Sequence, residues 1–190
     1  MQITEIKPGI VLASKQVPYV RSVALGFWVR SGVAYETAAL QGASHFLEHL
    51  LPKGTETLSA RDISESFDNI GGEINAYTAK EYTCFYCKVV DQHLKTAVDV
   101  LADMICHARL DPADVAKERN VVLEEISMYE DSPDEYVHDL LAAAVWPDHP
   151  LGRAILGTRD SLAAIDTECL RSFYQQHYRL GNIVIAAAGS

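Results

Sequence analysis

The 190-residue chain carries 26 acidic against 16 basic side chains, a formal net charge of −10 at pH 7, and is 48% hydrophobic and 22% charged. This is the composition of a folded globular protein, and without a Lys/Arg cluster it excludes a nucleic-acid or anionic-membrane surface while suiting a basic partner or substrate. The opening "MQITEIKPGIVLASKQV" lacks the basic end and apolar run of a signal peptide, and no window nears the roughly 18 apolar residues of a membrane span, so a chain neither secreted by a signal of its own nor membrane-spanning is expected, cytoplasmic or, as the alternative, a mature organellar protein.

Two strand patterns come first. "GIVLASKQV" is one, and in "RSVALGFWVRSG" Val23, Leu25, Phe27 and Val29 alternate as one buried face of a strand should. Residues 38 to 51 read as a helix. Residues 59 to 70 read as another, opened by Ser59 with Asp62 three places on and stopped at Gly71 and Gly72. "GEINAYTA" and "EYTCFYCKVV" form a second strand pair joined tightly through Lys80. An amphipathic helix over residues 92 to 107 follows. "DPADVAKERNVVLEEISMYE" then carries Asp111 as N-cap and Pro112 at the first helical position, where its missing N–H costs nothing. The same device at Ser132, Pro133 and Glu135 opens "DEYVHDLLAAAVW". After the loop "WPDHPLGRAILG", residues 160 to 177 read as a last helix, and "NIVIAAAGS" returns as a strand.

Strand pairs followed by runs of helices predict an α+β fold, a largely antiparallel sheet packed against helices, in one domain over residues 1 to 190. The stop after a strand fits a longer protein cut at a boundary. Four cysteines, Cys84, Cys87, Cys106 and Cys169, are too few and dispersed for a disulfide scaffold. Cys84 and Cys87 stand an odd number apart on a strand and so point to opposite faces, which argues for reduced core thiols rather than a shared metal or redox pair.

The 38 to 51 helix has two stripes. Ala43, Phe46, Leu47 and Leu50 form a core stripe, whereas His45, Glu48 and His49 fall on the opposite face. One turn separates the histidines, so both rings can reach one ion at about 2.0 to 2.1 Å, the Zn–N distance. The pattern H-x-x-E-H is the inverted form of a zinc peptidase motif. A catalytic zinc site requires a third protein ligand and keeps a position for water. In "KERNVVLEEISMYE", Val115, Val122, Ile126 and Tyr129 mark the inward side, with Glu118 and Glu125 at its border and Glu124 and Glu130 pointing elsewhere. Seven residues separate Glu118 from Glu125, about 10.5 Å along the axis, so one is a ligand and the other an outer partner. The helix alone does not say which.

The segments "GASHFLEHLLPKGTE", "GGEINAYTAKEYTCFY", "ERNVVLEEISMYEDSPDE", "HPLGRAILGT" and "NIVIAAAGS" follow one another along the chain. In that order, and over nearly all of its length, the chain resembles the pitrilysin/insulinase (M16) family of zinc peptidases. The resemblance implies that His45, His49 and Glu125 bind zinc, that Glu48 is the general base and Glu118 the outer-shell acid, and that Asn75, Ala76 and Tyr77 lie beside a peptide added as an extra strand. It implies a zinc endopeptidase acting on short or unfolded peptides, for which the acidic balance suggests basic substrates. Pro52 stands where the family more often has an aromatic, and is expected to end the helix without disturbing the ligands. The family also pairs such a half with a second, similar one, in the same chain, as a partner subunit or in a homo-oligomer. A zinc-binding half that is inactive until so paired is therefore the alternative, and a structural member that has lost its site is the third reading.

Overall fold

The computed structural model, which describes residues 1–190, has a single six-stranded sheet, whose centre rests on alternating apolar residues. Its strands are β1 (Gln2–Lys7), β2 (Ile10–Gln16), β3 (Ser22–Val29), β4 (Glu73–Thr78), β5 (Thr83–Val90) and β6 (Ile183–Gly189), in the spatial order β1-β2-β6-β3-β5-β4. Only the β2–β6 pair is parallel, so the sheet is largely antiparallel and the α+β expectation holds. Phe27 lies opposite Phe85 on one side and Ile185 on the other, which makes β3 the apolar centre. Seven helices accompany the sheet: α1 (Ala43–Leu50), α2 (Ala60–Asp68), α3 (Leu94–Cys106), α4 (Pro112–Glu130), α5 (Pro133–Val145), α6 (Arg159–Ala164) and α7 (Thr167–His177). Leu25, Phe27, Val29, Phe85, Cys87 and Val89 share one core with Phe46, Leu47 and Leu50 of α1 and Leu101 and Met104 of α3. The opposite face leaves Tyr77, Tyr86 and Val184 exposed. For the site, the decisive feature is that β4 is an edge strand with α1 packed beside it.

The structure departs from the sequence reading at four places. Strand β1 is not foreseen, because all six of its residues are exposed and no face is apolar enough to show a period of two. The helix expected over residues 38 to 51 is three pieces: a 3₁₀ turn at Ala38–Leu40, α1 from Ala43, and a second 3₁₀ turn at Leu51–Lys53 that contains Pro52. Gly42 sets the break with φ 90°, a conformation that strains other residues. The Glu36 carboxylate then accepts the N–H groups of Gly42 (2.9 Å) and Ser44 (2.8 Å), doing from a distance what a local cap would do. The last helix is likewise two, α6 and α7. Arg119 donates to the carbonyl oxygens of Leu162 and Ile165, and Asp166 caps α7 by accepting from the N–H of Cys169. Finally, Ser132 precedes α5 without any side-chain cap, leaving Pro133 to start it.

Other local signals fold as read. Asp111 accepts from the N–H of Ala113 at 2.8 Å. Cys84 and Cys87 are both buried free thiols, and burial pushes each up to about 11, away from thiolate reactivity. Ser59 and Asp62 form the reciprocal capping box of α2, each accepting from the other's N–H. Ser59→Ala is therefore expected to cost about 1 kcal/mol of stability, read as a lower urea midpoint at unchanged slope. An unchanged midpoint would show that the box contributes nothing.

Candidate metal centre

Helix α1 is short, and its sequence divides it cleanly. Phe46, Leu47 and Leu50 are buried in the core, which turns His45, Glu48 and His49 toward α4 and β4. The two imidazoles stand edge to face with centroids 4.6 Å apart. Helix α4 crosses α1 and buries Val115, Glu118, Val122 and Ile126. From it, Glu125 brings Oε2 to 3.6 Å from His45 Nε2 and 3.4 Å from His49 Nε2. One donor atom from each of His45, His49 and Glu125 lies within 4.8 Å of the others.

Glu118 occupies a different position. Its Oε2 lies 3.4 Å from Nδ1 of His49, the ring nitrogen turned away from Glu125, and its Oε1 lies 2.8 Å from Lys53 Nζ. The two glutamates that helical angle left equivalent thus face opposite nitrogens of one imidazole. A carboxylate on the far nitrogen fixes tautomer and ring orientation, the usual arrangement behind a metal-bound histidine. Lys53 offsets the charge of the buried Glu118, a role the sequence reading missed. Its only sequence signal is a base placed just after the helix.

The donor chemistry fits a zinc ion. Two imidazole nitrogens and a carboxylate oxygen are a zinc set. Burial, with His49 adding to it, pushes His45 down to about 3, so this ring is neutral and keeps a lone pair for a metal. Its Nδ1 is buried without a hydrogen-bond partner.

Glu48 stands beside this cluster and outside it. Burial raises its pKa, while the side chain and main chain of Thr78 and the neighbouring His49 pull it back. The Thr78 hydroxyl donates to Glu48 Oε2 at 2.6 Å. A desolvated carboxylate held at one oxygen is a better base than an exposed one. Two cavities flank it. One, of about 360 Å³, is bounded by Glu48, His49, Ile63, Ile74, Ala76 and Met104. The other, of about 290 Å³, is bounded by His45, Glu48, Tyr77, Tyr129 and Asp139. Asn75, Ala76 and Tyr77 run between them along β4, with Asn75 and Tyr77 exposed. The Asn75 side chain accepts from the Ala76 N–H at 2.8 Å, so a strand adding to this edge would have to compete with it. No helix is long and apolar enough to cross a membrane.

Comparison with known proteins agrees with this architecture. The sequence pattern of the insulinase family, peptidase family M16, matches residues 11–159. A Bacillus subtilis protein named uncharacterized zinc protease YmxG is 50% identical over 182 residues, covering 96% of this chain and 44% of its own length. Among solved structures, a protease from Helicobacter pylori superposes with a TM-score of 0.95 at 21% identity over 100% of this chain and 46% of its own. A peptidase M16 inactive domain from Pseudomonas fluorescens gives 0.91 at 18% identity, over 99% of this chain and 46% of its own. The chain thus spans less than half the length of each of these proteins. With the family pattern matched over most of its length, and a fold to go with it, the chain belongs to the insulinase family of peptidases, M16.

Proposed function

We propose that this chain is the zinc-binding catalytic domain of an endopeptidase, residues 1 to 190 forming the N-terminal half of a two-part enzyme. The observation that carries the reading is the convergence of His45 Nε2, His49 Nε2 and Glu125 Oε2 with Glu48 beside them at an open strand edge. His45, His49 and Glu125 hold zinc, and Glu118 orients His49 through Nδ1. Zinc bound there would polarise the scissile carbonyl and bring the pKa of a water toward neutrality. Glu48 takes the proton of the attacking water and returns it to the leaving amine. The peptide adds to β4 along Asn75, Ala76 and Tyr77, bound mainly through its backbone, which selects short or unfolded chains. With ten more acidic than basic residues on the protein, basic peptides are the favoured substrates.

The test is cleavage of a quenched basic peptide by the zinc-loaded chain, with a chelator-treated sample as blank. Chelator-sensitive cleavage supports the reading, and equal rates on a matched neutral peptide would remove the basic preference. A second reading is favoured by one fact, that relatives are more than twice as long as the matched region. In that reading the chain binds zinc and stays silent until a second half, covalent or supplied by another subunit, closes over it. Zinc uptake without cleavage is its signature.

Lys53 gives a further check. Lys53→Met leaves the buried Glu118 carboxylate without its cation, so His49 is less well oriented and zinc affinity should fall about tenfold, at the lower end for outer partners of metal ligands. Competition against a chromophoric chelator measures this, and unchanged affinity would mean that Lys53 is a surface charge only.

A further inference from the structure

We propose that Thr78 is a positioning residue for Glu48, its hydroxyl holding the carboxylate by Oε2 in the orientation that takes the proton of the attacking water. The proposal rests on the peptidase reading above for its consequence, and on local geometry for its substance. Thr78 Oγ1 stands 2.6 Å from Glu48 Oε2. Its other hydroxyl neighbour is Thr83 Oγ1, at 3.4 Å. Thr83 is fully buried and donates to the Ser31 carbonyl oxygen at 2.8 Å, an atom that can only accept. The single Thr83 proton is therefore committed, and the Thr78 proton goes to the carboxylate. Such charge-assisted bonds are short and strong.

The backbone makes the hydroxyl a rigid anchor. Thr78 lies opposite Thr83 in the β4–β5 ladder, and a β-branched side chain on a strand has little freedom at χ1. Glu48, by contrast, is a long side chain on a short helix, and Thr78 is the residue that hydrogen-bonds to its carboxylate. Thr78 also closes the strand that bears Asn75, Ala76 and Tyr77. One rigid element thus sets both the register of an added peptide and the aim of the base, which is how a site holds its reacting groups to within a fraction of an ångström.

The experiment compares Thr78→Val, which keeps shape and removes the hydroxyl, with Thr78→Ser, which keeps the hydroxyl. Both are loaded with zinc, assayed for kcat and KM, and crystallised. Loss of one hydrogen bond to a charged group predicts a fall in kcat of roughly 10- to 100-fold for the valine variant, with KM within about twofold and zinc content unchanged. The serine variant should recover most of kcat. In the crystals, Glu48 should keep its position in the serine variant and swing away in the valine variant. Wild-type kcat in the valine variant, equal impairment in both, or an unmoved Glu48 in the valine crystals would each overturn the proposal. If the unmodified chain cleaves nothing, the reading of this chain as a self-sufficient peptidase fails, and the two crystal structures still decide for or against Thr78.

Discussion

Glu48→Gln is expected to abolish peptide cleavage while leaving zinc in place. Glutamine has nearly the volume of glutamate and can still accept from Thr78, so the local packing survives. What it loses is a lone pair basic enough to take a proton from water. Removing a positioned general base costs about 10²- to 10⁴-fold in rate. Glu48 is not one of the three converging donors, so metal content should match that of the unmodified protein. Rates from chromatographic separation of products, with zinc measured on the same samples, make the comparison. A variant that keeps more than a tenth of the unmodified rate would show that Glu48 is not the base.

The second large effect falls on the metal. On the proposed zinc reading, His45→Ala or His49→Ala removes one of the three converging donors, and zinc is expected to be lost on dialysis. The loss should exceed the roughly 10- to 100-fold typical of outer partners, which is where Glu118→Gln belongs. The fold should persist, because the core stripe of α1 is Phe46, Leu47 and Leu50, none of which is touched. The paired measurement is zinc content by atomic emission and far-ultraviolet circular dichroism. Folded His45→Ala protein that still carries one zinc per chain would mean that the ion sits elsewhere.

Much of the architecture is legible in the sequence because its causes are local. Val23, Leu25, Phe27 and Val29 alternate and are all buried, and Ser59 with Asp62 makes its capping box from four consecutive residues. The two-striped face of α1 follows from the helical period alone. Part of what escapes is set by partners distant in sequence. Glu36 starts α1 across six to eight residues, and Arg119 divides the last helix from 43 and 46 residues away. The distinct places of Glu118 and Glu125 depend on how α4 crosses α1, information that helical angle does not contain. Thr78 escapes for the same reason, since its reach to Glu48 spans 30 residues and depends on β4 lying beside α1.

The most direct test of the account is a crystal of the zinc-soaked chain measured on both sides of the zinc absorption edge. One anomalous peak is expected within about 2.0 to 2.2 Å of Nε2 of His45, Nε2 of His49 and an oxygen of Glu125, with Glu118 on the far side of His49 and out of contact with the ion. A zinc peak elsewhere, or Glu118 in place of Glu125 among the ligands, would contradict it.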